Sequence, residues 1–139
     1  MLIRRWILVL LILALGPAGQ AQGPHTPAPG SAERQAILDA ARVKVAADLP
    51  CSEAILFRVE DLRVYQGWAL LNGQPVTPTG TPIHKNCIES DELTVVLLRF
   101  KDGTWQVERG RTTCATDAFW LQWQEELGAP SEIFELKGG

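Results

Sequence analysis

Ile55-Leu56-Phe57-Arg58-Val59, Trp68-Ala69-Leu70-Leu71, Leu93-Thr94-Val95-Val96-Leu97-Leu98-Arg99-Phe100 and Trp105-Gln106-Val107-Glu108-Arg109 decide the fold. They read as four strands of one antiparallel sheet. In the first, Ile55, Phe57 and Val59 alternate with Leu56, Arg58 and Glu60, the period of a half-buried strand. The same pattern either runs on through Leu62 and Val64 to a turn at Gln66-Gly67 or bends at Glu60-Asp61; the pattern leaves both open. Asn72-Gly73 ends the second strand. The third is apolar on both faces except for Thr94 and Arg99, which suits the middle of a sheet covered twice, or a subunit interface. Lys101-Asp102-Gly103 is a hairpin turn with glycine where a positive φ is wanted. In the fourth strand Trp105 and Val107 point inward and Gln106 and Glu108 outward.

Working outward, residues 32–49 repeat with a helical period. Ile37, Leu38, Ala41, Val45 and Leu49 form one side, Ser31 is a suitable N-cap, and Pro50 stops the helix. A second helix is predicted over about 117–127, capped by Thr116 or Asp117 and closed by Gly128 and Pro130. Its apolar side holds Phe119, Trp120, Trp123 and Leu127, and Ile133-Phe134 packs back onto the sheet. The expected architecture is α+β: an N-terminal helix packed on a four-stranded antiparallel sheet, with a short C-terminal helix.

The chain of 139 residues opens with Arg4-Arg5, an apolar run from Trp6 to Leu15 and a small-residue site at Gly19-Gln20-Ala21, the pattern of an export signal. The run is about ten residues, half of the roughly 20 that a permanent bilayer anchor needs. Expected boundaries are therefore a signal peptide at 1–21, a flexible Pro/Gly-rich leader at 22–31 and a single domain at 32–136. Removing Arg4 and Arg5 from 13 basic residues leaves 11 against 16 acidic ones, a net charge of −5. An acidic chain without a basic stripe argues against nucleic acid and against anionic membrane surfaces, no stable membrane insertion is expected after signal cleavage, and the expected location is periplasmic or secreted.

Cys51, Cys87 and Cys114 are an odd set for an oxidising compartment. In an up-and-down meander the first strand starts, the third starts and the fourth ends at one edge, so all three gather there. A Cys87–Cys114 disulfide is the leading expectation, with Cys51–Cys114 next, stabilising by about 3 kcal/mol.

Candidate chemistry is sparse. The proline-rich stretch 74–92 is read as a long loop, where sites often lie. His84 with Glu89, Asp91 and Glu92 lacks metal-ligand spacing, and no cofactor is expected. A carboxylate at Asp117 in a pocket lined by Trp68, Trp105 and Trp120 is the candidate site, set against a plain helix cap and core tryptophans. Arg109 and Arg111 suit a small anionic ligand or simply an ordinary surface.

Leu62-Arg63-Val64, Gly67-Trp68-Ala69, Gly103-Thr104-Trp105-Gln106-Val107, and Thr116-Asp117 followed by Trp120, Trp123, Gly128-Ala129-Pro130 and Phe134 carry a resemblance. Over most of residues 33–134 the chain resembles an uncharacterised family of small exported proteins of Gram-negative bacteria. The likeness implies location and fold and brings no catalytic residue. The element order is also similar to cystatin-like and NTF2-like folds, an analogy of fold that does not carry function. Val64-Tyr65-Gln66-Gly67 has the wrong order for the Gln-x-Val-x-Gly hairpin of a cystatin-type inhibitor. The expectation is a non-enzymatic binding or accessory module with an unidentified protein or small-molecule partner, using its concave sheet face or the loop 74–92. The rivals are a small enzyme or small-molecule binder with an NTF2-like cavity, using Asp117 and His84, and a structural envelope protein that forms homodimers through its sheet.

Overall fold

The computed structural model describes residues 23–49, 54–83, 93–113 and 118–135. It has the expected α+β arrangement. Helix α1 (Ala32–Asp48) precedes strands β1 (Leu56–Tyr65), β2 (Trp68–Val76), β3 (Leu93–Lys101) and β4 (Thr104–Thr113), and helix α2 (Leu121–Leu127) follows. The strands lie in the order β1-β2-β3-β4, each antiparallel to the next.

The Ser31 hydroxyl accepts the Arg34 backbone N–H at 3.2 Å, satisfying one of the orphan donors of the first turn of α1. At the other end Leu49 is extended (φ −93°, ψ 135°), as a residue before proline must be. Two-residue turns at Gln66-Gly67 (φ 48° and 77°) and Asp102-Gly103 (φ 51° and 78°) join β1 to β2 and β3 to β4. Paired positive φ values match the right-handed twist of the strands, so both hairpins are tight. A meander puts these two turns at the same end of the sheet.

The open question in β1 is resolved by a bulge. Val59 pairs with Gly73 and Asp61 with Asn72, so Glu60 is the extra residue. The phase slips by one there: Phe57 and Val59 face α1 before the bulge, and Leu62 and Val64 after it. The strand both continues and bends. In β4 the same device recurs at Glu108, between the pairs Leu98–Val107 and Leu97–Arg109. Asn72-Gly73 does not end β2, contrary to expectation. Gly73 lies opposite the first bulge, where an added Cβ would sit 2.6 Å from the Arg58 carbonyl oxygen, so only glycine fits. Gln74, Pro75 and Val76 continue the strand. The carbonyl of Pro75 accepts the Ile83 N–H at 2.9 Å, on the edge away from β1, so the missing proline donor costs that ladder nothing. Thr77 to Thr81 makes a closed turn and Ile83 is buried in the core. Residues 74–76, read as the start of a loop, therefore belong to β2, and Ile83 returns to pair with its end.

Alternation on β2 and β3 divides the interior in two. Ala69, Leu71, Val96 and Leu98 meet Ile37, Leu38, Ala41 and Val45 of α1. Trp68, Leu70, Val95 and Leu97 meet Phe119, Trp120, Trp123, Ile133 and Phe134 on the other face. The doubly apolar third strand is thus covered on both faces. Each fully buried aliphatic side chain contributes about 1.5–3 kcal/mol, before the entropy of ordering it. Thr94 and Thr112, both buried, satisfy each other across β3 and β4 at 2.8 Å. Gly128 (φ 69°) closes α2 by donating its N–H to Gln124, and the 3-10 turn Ser131–Ile133 brings Ile133 and Phe134 back to the sheet as expected.

Residues 23–30 do not stand apart as a free leader. His25 and Val64 exchange backbone hydrogen bonds of 2.9 and 2.8 Å, adding a one-residue stub to the outer edge of β1. Pro27 is buried, and its carbonyl accepts from Arg34 at 3.2 Å. Polar chain rich in proline and glycine docks here through its backbone, which no side-chain period announces. Among the described residues no helix is long and apolar enough to cross a membrane.

Candidate functional site

The sequence-predicted pocket does not assemble as a single site. Trp68 and Trp120 share the face covered by α2, both buried, whereas Trp105 is on the α1 face. Residues 105 and 68 are separated by the thickness of the sheet because Trp105 pairs with Phe100 while Trp68 pairs with Arg99, one step along β3. Asp117, its cap partner Thr116, His84 with Glu89, Asp91 and Glu92, and Cys51, Cys87 and Cys114 with their expected pairing lie outside the described residues. The arginines considered for an anion are engaged with neighbours. Arg111 stacks over the Phe119 ring at 4.8 Å, and Arg109 lies 4.0 Å from Glu126. Arg99 covers Trp68, also at 4.8 Å.

The same face holds an ion pair between a buried arginine and a partly exposed aspartate that the sequence pattern does not reveal. Arg63, 7% exposed, lies beside Asp61 with Nε 3.0 Å from Oδ2. Both sit just past the Glu60 bulge, whose phase slip turns them away from α1.

The open space lies at the hairpin end of the sheet. A groove of about 790 Å³ runs between the 23–25 segment, the first turns of α1 and the two tight turns. Its size falls within the range of small-molecule sites. Gly67, Gly103 and Thr104 form the floor and rim at the turns, and Val64 and Ala36 add aliphatic surface. Phe100 and Trp105 supply the aromatic wall. They are edge-to-face, with centroids 5.3 Å apart and planes at 61°, and Phe100 is 48% exposed.

His25 and Glu33 line the groove as well. His25 Nε2 lies 3.0 and 3.2 Å from the two carboxylate oxygens of Glu33. The backbone bridge from His25 to Val64 fixes the ring's position, and α1 fixes that of Glu33. Glu33 is in the first turn of the helix, where the dipole favours a carboxylate. Both side chains are partly exposed, 43% and 39%, so the pair faces solvent across the groove. Among the described residues no group of three or more His, Cys, Asp or Glu side chains comes together as a metal site.

Trp105 lines the groove with Phe100, His25 and Glu33, which no spacing in the sequence singles out, while Trp68 and Trp120 are on the other face. One feature of the sequence points to this end of the sheet. Both short turns of a meander fall at one end, so Gln66-Gly67 and Asp102-Gly103 bring the residues flanking them together. Comparison with protein-family models, with curated proteins and with solved structures finds no match to this chain.

Proposed function

We propose that this protein is an exported binding module that takes a small, mainly apolar ligand in the groove between its two hairpin turns and the start of α1. The observation that carries the reading is Phe100, a large ring left half exposed against Trp105 in a concavity whose other walls are fixed by regular structure. Exposed aromatic surface in a preformed cleft favours a ligand that covers it. The concave sheet face considered from sequence is filled by α1, which leaves the end of the sheet as the accessible surface. Export is supported by Arg4-Arg5, the run Trp6 to Leu15 and Gly19-Gln20-Ala21.

Titration of the purified protein with Nile red, a neutral apolar dye, tests the site. Saturable binding is expected, weakened about tenfold by Phe100→Ala, the equivalent of roughly 1.4 kcal/mol. Phe100 lies outside both packed clusters, so this variant keeps its fold. Equal dye binding by both proteins, or no saturation at all, would place any ligand elsewhere.

A further inference from the structure

We infer that the ligand of this groove is a small organic cation, an apolar body bearing a protonated amine or quaternary ammonium group, with Glu33 as its counter-ion. The inference rests on the groove being a binding site, and it follows from the charge that the groove presents. Among the described residues lining it, Glu33 is the one carboxylate, and none is lysine or arginine. The His25 ring offers a single nitrogen to both Glu33 oxygens. A carboxylate has about four acceptor sites, so most of its capacity still points to solvent.

Three ligand classes fare differently there. An anion meets Glu33 with no lysine or arginine in the described lining to offset it. A neutral molecule can cover Phe100 but gains nothing from Glu33. A cation adds an ion pair with the carboxylate. The dipole of α1 opposes it with only about half a unit of charge, against the full unit on Glu33.

The aromatic wall points the same way. On the opposite face of the sheet, Trp68 and Phe119 are each already covered by a guanidinium, from Arg99 and Arg111. Phe100 and Trp105 pair only with each other, and no lysine or arginine among the described residues joins them in the groove. Their ring faces are electron-rich surfaces of the kind that hold ammonium groups.

The test compares three ligands of one shape: 4-phenylbutyltrimethylammonium, 4-phenylbutanol and 4-phenylbutyrate. Each is titrated into the purified protein at low salt, where ion pairing is least screened, with tryptophan fluorescence as the readout. The cation is expected to bind five- to tenfold more tightly than the alcohol, and the carboxylate more weakly than either. Glu33→Gln should remove the advantage of the cation while leaving the alcohol unchanged, and Glu33→Asp should keep part of it. Far-UV circular dichroism confirms that each variant is folded. Equal binding of all three ligands, with no response to Glu33→Gln, overturns the cation inference and leaves the groove standing. Failure of all three to saturate removes both.

Discussion

On one side of the sheet, a helix of 17 residues lays Ile37, Leu38, Ala41 and Val45 in a line across β2, β3 and β4. On the other, a helix of seven residues and a single 3-10 turn pack Phe119, Trp120, Trp123, Ile133 and Phe134 against it. The difference follows from length. A long helix can return an aliphatic residue to the core every three or four positions. A short one has few inward positions, so each must carry a large ring. The edge-to-face contacts of Phe119 with Trp120 and with Trp123, at 5.2 and 5.6 Å, are how those rings fill the space. The two faces are therefore alike in burial and unlike in how firmly the chain holds them, because α1 has a capped start and α2 has no side-chain cap.

The sharpest way to break this comparison is to open a cavity on each face. Leu98→Ala, at a fully buried position beneath α1, is expected to destabilise by about 4 kcal/mol, since a sheet and a long helix cannot collapse into the space. Trp123→Ala should cost less, about 3 kcal/mol, because the short C-terminal cover can shift inward. Urea denaturation with unchanged m-values measures both. A larger loss from Trp123→Ala would show that the second cover is the more rigid one. Gly73→Ala probes the bulge that keeps the two faces in phase. Its Cβ would meet a backbone oxygen and not a movable side chain, and about 2 kcal/mol of destabilisation is expected in the same assay. Ser31→Ala removes the cap of α1 alone and should cost about 1 kcal/mol. Amide exchange then separates the faces: protection should fall along α1 and remain unchanged around Trp123. A uniform loss would mean that both covers open together.

Much of this architecture is legible in the residues. Alternation in β3 reveals two buried faces, and the glycines at 67 and 103 mark the hairpins. What alternation alone could not supply is any feature belonging to two strands at once. Glu60 is a bulge only because Gly73 faces it, and neither residue announces the other. Asn72-Gly73 looks like a stop by composition, yet a one-residue phase slip in the neighbouring strand requires that glycine inside the ladder. The groove suffered in the same way. Residue type groups Trp105 with the other tryptophans, whereas register puts it beside Phe100 and faces it toward a helix. His25 sits in a proline-rich stretch without side-chain period, and its place is set by two main-chain bonds that any residue other than proline could make.

Those two bonds have a consequence for behaviour at high concentration. β1 is the outermost strand, and its N–H and C=O at Val64 point away from the sheet, where a second molecule could otherwise add its own strand. The short segment around His25 occupies that position first. Trimming the chain to residue 28 should therefore leave that edge open to pairing with a second copy, visible as time-dependent light scattering. The stub at the margin of the sheet works as a guard against self-templating.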